Sequence, residues 1–496
     1  MIYIDPPYNT GKDFVYKDNY RDNLKNYREN YGQKDAEGNA VGSQSERNSE
    51  ADGKYHSNWL NMMYPRLQVA RNLLREDGII FISIDDHELE NLRMTCHQIF
   101  GEENFIANII WEKVHTRKNS AKTFSVSHDH ILAFAKVKDK WDRHLLPREN
   151  TDAYKNPDAD PKGPWKPDPI TAHNEYSAEY TITKPNGVVL HRPIDRYWAY
   201  SHESWKEKVE NNEVIWGEGN SYPMIKRYLA EVQDGLVPTT LFKRTFAGDS
   251  SKAKKEIDSL TNEPNIFDYP KPTLLIQRLA QISLRHDEIV LDFFAGSATT
   301  GHAIFKDNIE RGLNNRFILV QLPESTDSSA SGYNYLTQVS RARLSAAASV
   351  LSDNVQSRID LGFRVFKLDS SNVRAWDPNP GNLGDNLFAD NIKEDRSELD
   401  LVFEILLKYG LDLSLPIKER AGEGHTFYAI GAGALILCLG KQITRRAAET
   451  ILAWAGELGA VNPKVVFRDT GFTSSVEKTN AYELLRSGEI EDVKSV

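Results

Sequence analysis

Asp5, Pro6, Pro7 and Tyr8 stand together near the start of the chain, and their residue types converge on one kind of chemistry. An ionised aspartate can only accept hydrogen bonds. Neither proline has a backbone N–H, so the turn offers carbonyl oxygens with few competing donors and a fixed φ. Such a corner suits an aromatic amine, whose lone pair stays delocalised until acceptors draw on its hydrogens and let the nitrogen pyramidalise. Tyr8 adds a flat face on which a ring can stack, and a base inside a duplex must be flipped out before an enzyme can alkylate it. The four residues therefore point to methyl transfer onto the exocyclic amine of a nucleic-acid base. A bare Asp-Pro-Pro is otherwise a rigid turn, so the elements around it decide between the readings. Met1 to Ile4 read as the end of a buried apolar strand, which puts the tetrapeptide at a strand's carboxyl end, where open α/β sheets bind ligands.

A second motif lies far downstream. Ile289 to Asp292 is a strand ending in an acidic residue, followed by Phe293, Phe294, Ala295, Gly296 and Ser297 as a tight turn into a helix. Gly296 and Gly301 have the spacing of a phosphate-cradling loop, yet His302 and Ala303 stand where Lys and Ser/Thr would be needed, which disfavours a triphosphate. The Gly-x-Gly-x-x-Gly pattern of dinucleotide sites is missing too. A cofactor with an adenosine, an amino-acid tail and no phosphate fits better, and S-adenosylmethionine has these parts.

With Asp-Pro-Pro-Tyr first, a long variable region next and the Phe-x-Gly-type loop last, the chain resembles the circularly permuted β class of amino-methyltransferases. The stretches from Asp5 to Gly11, Tyr55 to Arg66 and Asp77 to Asp86 are similar to the Mod subunits of type III restriction-modification systems, and the match runs along nearly the whole chain. The resemblance implies an α/β fold with a doubly wound, Rossmann-like, circularly permuted methyltransferase sheet, an inserted target-recognition region and a small C-terminal α/β module. It also implies S-adenosylmethionine as cofactor, N6-methyladenine in double-stranded DNA as product, a homodimer, and a Res partner that carries ATP hydrolysis and cleavage. Carried over by residue, Asp5 and the Pro6 carbonyl accept from the adenine amine, Tyr8 stacks on the base, and Phe293 to Ser297 wrap the cofactor beside Asp292. Lys271 in Tyr-Pro-Lys-Pro is expected near the cofactor carboxylate. Gln321 holds the place of the acidic residue that binds the ribose hydroxyls, leaving that role to Gln321 or to Glu324. Family members carry a longer segment ahead of the tetrapeptide, so a truncated start is expected. Two other readings stay open: a catalytically silent DNA-reading or scaffold subunit, and cytosine-N4 methylation, against which Asp rather than Ser at position 5 weighs.

The chemistry needs no metal and no covalent intermediate, because holding nitrogen, methyl carbon and sulfur in line can lower a barrier by about 7–11 kcal/mol. The elements that must do the holding occupy a chain of 496 residues, long enough for several domains. The expected division is residues 1–112 as the catalytic half of the methyltransferase domain, 113–264 as the target-recognition region, 265–360 as the cofactor half, and 361–496 as a module for subunit contacts. The net charge of −10 is unusual for a protein gripping phosphates, so any basic surface must be local. Arg192, Arg196, Lys226 and Arg227, close to Tyr197, Trp198 and Tyr228, are the candidate DNA contacts. Two cysteines, no signal peptide and no apolar stretch of spanning length fit a cytoplasmic protein. Residues 17–54 read as a long loop; Tyr55 to Arg75 reads as a helix, with Trp59, Met62 and Leu73 in the core, and 79–84 as a buried strand. Asp86 is placed as cap of the next helix and Thr273 as cap of the helix from Leu274. Tyr335 to Val350 reads as an exposed helix and Phe363 to Leu368 as a strand.

Overall fold

The computed structural model describes residues 1–11, 55–147, 151–175, 178–231, 235–326, 332–352, 359–374 and 392–496; the expected loop over 17–54 lies outside them. The apolar residues ahead of Asp5 form the strand Ile2–Ile4, in which every residue is buried, the mark of a strand covered on both faces. It lies within a seven-stranded sheet whose order is Leu241–Phe242, Phe105–Glu112, His128–Ala135, Ile79–Ile84, Ile2–Ile4, Ile289–Asp292, Arg316–Leu319. The last four run parallel, and His128–Ala135 runs antiparallel to both of its neighbours.

The period-two alternation of side chains divides the core into two layers. Ile2, Ile4, Ile80, Ile82, Leu132 and Phe134 pack under the helices Tyr55–Leu73 and Leu89–Phe100, through Trp59, Met62, Met63, Leu67 and Leu92. Tyr3, Ile79, Phe81, Ile131 and Ala133 face the opposite layer, where Leu275, Ile276 and Leu279 come from the helix Thr273–Ser283 and Ala303 from the helix Thr299–Arg311. Helices therefore cover both faces of a Rossmann-like sheet, and the chain reaches the Asp5 half before the Asp292 half, in the permuted order.

Several sequence expectations need correction. A recognition region over 113–264 takes in His128–Ala135, which sits inside the sheet, and Leu241–Phe242, which closes its edge. The material lying outside the sheet falls between those two strands; there the strands Trp165–Pro169, Val214–Ile215 and Met224–Tyr228 form a small sheet of their own. Asp86 does not cap: the helix begins after Glu88 with no side-chain cap, and the Asp86 carboxylate instead meets His130. Thr273 is the first helical residue and gives its hydroxyl to Glu256. Leu73 is 64% exposed, on the solvent side of its helix. The helix Leu336–Ser352 is amphipathic and buries Val339, Arg343, Leu344 and Ala347.

The chain divides into two compact units, Met1–Gly362 and Phe363–Val496. The second has a five-stranded sheet, Ile417–Gly422, His425–Ile430, Leu435–Cys438, Lys464–Phe467 and Val493–Ser495, with the helices Glu398–Lys408, Arg445–Leu458 and Ser475–Ser487. Ser397 and Asp400 form a reciprocal capping box at the first of these helices. Residues 363–368, expected as a strand, pair with nothing in that sheet.

Replacing Ile82, wholly buried between helix layer and sheet, by alanine is expected to cost about 2–5 kcal/mol. Val69→Ala, at a site 57% exposed, should stay within about 0.5 kcal/mol. Denaturant midpoints of the two variants check the difference.

Candidate active site

Ile2 pairs with Leu291, so the two parallel strands end side by side and the turns that follow, at Asp5 and at Phe293, open at the same edge of the sheet. This register brings together segments almost three hundred residues apart. Lys271, just ahead of the helix Thr273–Ser283, reaches across and gives its ammonium to both oxygens of Asp5, at 2.6 and 2.5 Å. Its Nζ also lies 5.0 Å from the centroid of the Tyr8 ring. The expected partner of Lys271 was the cofactor carboxylate; its partner in this structure is Asp5. Burial raises the Asp5 carboxyl above the ordinary carboxylate range, and the Lys271 charge opposes that rise. Burial and the Asp5 charge push the Tyr8 phenol well up, so Tyr8 is a neutral ring carrying a hydroxyl donor.

The turn itself is held from beneath. Trp59 donates its indole N–H to the Pro7 carbonyl at 2.7 Å, whereas no described backbone or side-chain donor takes the Pro6 carbonyl. Asn9 adopts a left-handed φ of 60°, which asparagine tolerates better than most residues. Its buried amide donates to Glu88 at 2.5 Å, and Glu88 also takes His56 and Asn91. Tyr8 points its hydroxyl toward Asp129 at 3.5 Å, and Asp129, itself buried, takes the Lys113 ammonium at 2.5 Å. Trp59 had a core role in the sequence and has a second one here. An aspartate flanked by two histidines at the head of the apolar run Ile131 to Ala135 was a legible sign of a strand-end site. Glu88 carried no such sign.

The second turn is built around Asp292. The Phe294 N–H and the Thr300 hydroxyl donate to its carboxylate, at 3.0 and 2.5 Å. Burial nevertheless raises the acid to about 7. Gly296 has φ +50° and gives its N–H to the Gln321 side-chain carbonyl at 2.7 Å. Gln321 in turn donates to Glu324 at 2.8 Å. Gln321 is thereby engaged in closing the turn. Gly301 is a packing glycine: a Cβ there would lie 2.8 Å from Leu344 and 3.0 Å from Leu319, so the helix Thr299–Arg311 can approach only without one. His302 and Ala303 are buried in that helix.

Beneath the turn lies a buried charge network that the sequence did not reveal. Arg343, with no exposed surface, donates to Ser297 at 2.9 Å and Thr299 at 2.6 Å, and lies 3.5 Å from Glu256. Glu256 also takes Lys306 and the Thr273 hydroxyl. Burial works to raise the Glu256 carboxyl, but Lys306 overcomes it and holds the acid at about 2. Burial, reinforced by the Arg343 charge, drives His302 down, so its imidazole is neutral.

The four candidate DNA contacts fare differently. Lys226 is buried and held by Asp158 and Asp160, each at 2.6 Å, so it is a structural cation and not a phosphate ligand. Trp198 and Tyr228 are core residues as well. Arg227 is half-exposed and pairs with Asp168 at 3.3 Å. Arg196 donates to Thr171 and His173, and Arg192 lies 4.9 Å over the Tyr197 ring.

A doubly wound sheet with an Asp-Pro-Pro-Tyr turn and a glycine turn at the ends of adjacent parallel strands has the layout of a nucleic-acid amino-methyltransferase. Residues 1–311 match the family described as DNA methylase, with N6 and N4 members, and the chain belongs to that family. It is 36% identical over 390 residues to the type III restriction-modification enzyme StyLTI Mod subunit of Salmonella typhimurium, an alignment covering 76% of this chain and 58% of that one. The EcoP15I Mod subunit of Escherichia coli is 27% identical, and the EcoPI Mod subunit of Escherichia phage P1 29%, each across 96% of this chain and 78% of its own length.

Two outcomes follow from the site's electrostatics. Because Asp292 titrates near 7 in the fold and lower when unfolded, the folded state binds the extra proton, and its stability falls as pH rises through that window. Asp292→Asn should flatten this slope in unfolding temperatures recorded between acidic and neutral pH. Glu256→Gln leaves Arg343 buried without its carboxylate and is expected to cost about 3–5 kcal/mol. Combined with Arg343→Met, the loss should be well below the sum of the single changes in denaturant titrations.

Proposed function

We propose that the chain is the modification and recognition subunit of a type III restriction-modification system, methylating adenine N6 in double-stranded DNA with S-adenosylmethionine. The observation that carries this reading is the register of Ile2 against Leu291, which sets the Asp5 acceptor and the Asp292 turn at one edge of the sheet. The donor set fits a phosphate-free cofactor, since no lysine stands in the turn and its helix start is packed with buried groups. Asp292, Phe293, Phe294, Ala295, Gly296 and Ser297 would hold the cofactor, which supplies an electrophilic methyl on a sulfonium. Glu324 is the better candidate for the ribose hydroxyls, because Gln321 is spent on the Gly296 N–H.

The protein's own part is to make the base amine a nucleophile. Asp5 accepts one amine hydrogen and the Pro6 carbonyl the other, while Trp59 keeps the Pro7 carbonyl out of the competition. Lys271 favours the ionised form of Asp5 against the effect of burial and must loosen its grip for the amine to be accepted. Tyr8 offers its ring to the flipped base, steered by Asp129. Arg192, Arg196 and Arg227 are the remaining candidates for DNA contact. The names of the Mod relatives support a Res partner, and we place dimer and partner contacts in the unit Phe363–Val496. None of the described helices is long and apolar enough to cross a membrane, and a cytoplasmic site of action belongs to this proposal.

Asp5→Ala is expected to reduce transfer of labelled methyl to duplex DNA at least a thousandfold, on the order of what a lost acceptor and misplaced nucleophile cost together, with DNA affinity little changed. Mass spectrometry of the nucleosides should show N6-methyladenine; N4-methylcytosine, or undiminished labelling by Asp5→Ala, would overturn the proposal. Lys271→Met removes the charge that lowers Asp5, so the acid limb of the pH–rate profile should move to higher pH.

A further inference from the structure

Further along the same edge of the sheet, beyond the strand Ile79–Ile84, three metal-type donors converge. Asp86 follows the strand Ile79–Ile84, and His128 and His130 open the antiparallel strand beside it, with Ile84 opposite His130. One donor atom from each of Asp86, His128 and His130 lies within 4.8 Å of the other two. His130 is 7% exposed and sets Nε2 3.1 Å from the Asp86 carboxylate. Its other nitrogen faces the Asn108 side chain, with the amide nitrogen at 3.1 Å and the amide oxygen at 3.3 Å; donating to that oxygen, the ring would be oriented from behind as a metal-bound imidazole is. The His128 ring lies 5.0 Å from that of His130, edge to face. Two residues apart on one strand, the two histidines share a face. Asp129 between them points to the opposite face, where it meets Tyr8 and Lys113.

Two imidazoles and one carboxylate are a borderline donor set, suited to Zn²⁺, Co²⁺ or Ni²⁺ and poorly suited to Mg²⁺ or Ca²⁺, which take oxygen ligands. Tetrahedral Zn²⁺, with bonds of about 2.0–2.1 Å, wants donors about 3.4 Å apart. Asp86 and His130 already meet that spacing, and a rotation of the His128 side chain brings in the third donor.

We propose that Asp86, His128 and His130 bind one divalent transition-metal ion of the zinc class, with water in the fourth position, on the sheet face opposite Asp129. The ion's work is structural. Methyl transfer needs no metal, and the ion instead ties the end of Ile79–Ile84 to the start of His128–Ala135, fixing the stretch of backbone from which Asp129 steers Tyr8.

Titration of the metal-free full chain with Co²⁺ should give the visible absorption of a tetrahedral nitrogen–oxygen site, saturating at one equivalent and lost when Zn²⁺ is added. Zn²⁺ should raise the unfolding temperature of the native chain and Mg²⁺ should not. His128→Ala and Asp86→Asn, both at partly or fully exposed positions, should abolish the absorption and the Zn²⁺-dependent shift while keeping the circular dichroism of the native fold. His87→Ala, which removes an exposed imidazole paired with Asp85, should retain both. Failure of Co²⁺ to saturate, or binding that survives His128→Ala and Asp86→Asn in folded protein, overturns the proposal.

Discussion

One parallel register, Ile2 against Leu291, is what the site depends on. Two short strands far apart in sequence must lie side by side and end level, so that the turn carrying Asp5 and the turn carrying Asp292 face each other. Neither strand could hold that position alone. Ile2, Ile4 and Val290 are almost wholly buried, and burial of such side chains contributes roughly 1.5–3 kcal/mol each. A one-residue slip would move every one of them to the wrong face, which is why the register is fixed by packing on two sides and not by hydrogen bonds alone.

Burying that edge has an electrostatic consequence. Asp5 and Asp292 are both pushed toward their neutral forms by burial, and Lys271 is the cation that counters the effect at Asp5. A second buried network, Arg343 with Glu256 and Lys306, supports the turn from below through Ser297 and Thr299. Buried ion pairs of this kind seldom add much net stability, because desolvation offsets the attraction. What they do here is hold polar backbone turns in place at the end of a sheet, where apolar packing runs out.

Much of this was legible in the residues. The apolar runs at 2–4, 79–84 and 289–292 announced buried strands, and Asp5-Pro-Pro-Tyr announced acceptors without donors. Gly301, which has the spacing of a phosphate-loop glycine, is required by the close contact of its helix with Leu344 and Leu319. Less legible was anything that depended on which side chain meets which. Lys226 read as a DNA contact because its charge and its aromatic neighbours were visible, while Asp158 and Asp160, which neutralise it, lie some 66 residues away. Tyr335 to Val350 read as an exposed helix, and the structure buries Arg343 of that helix against Ser297, Thr299 and Glu256.

By itself, then, the sequence determined the strands at 2–4, 79–84 and 289–292, the order of the two turns and the chemical character of the tetrapeptide, because these follow from local residue type and period. The tertiary structure decided the partners: Lys271 on Asp5, Trp59 under Pro7, Gln321 in the Gly296 turn, Arg343 beneath Ser297, and His128–Ala135 inside the sheet. Pairings between distant segments are set by packing the whole core at once, and no local pattern encodes which of several charged or aromatic groups will win a given position.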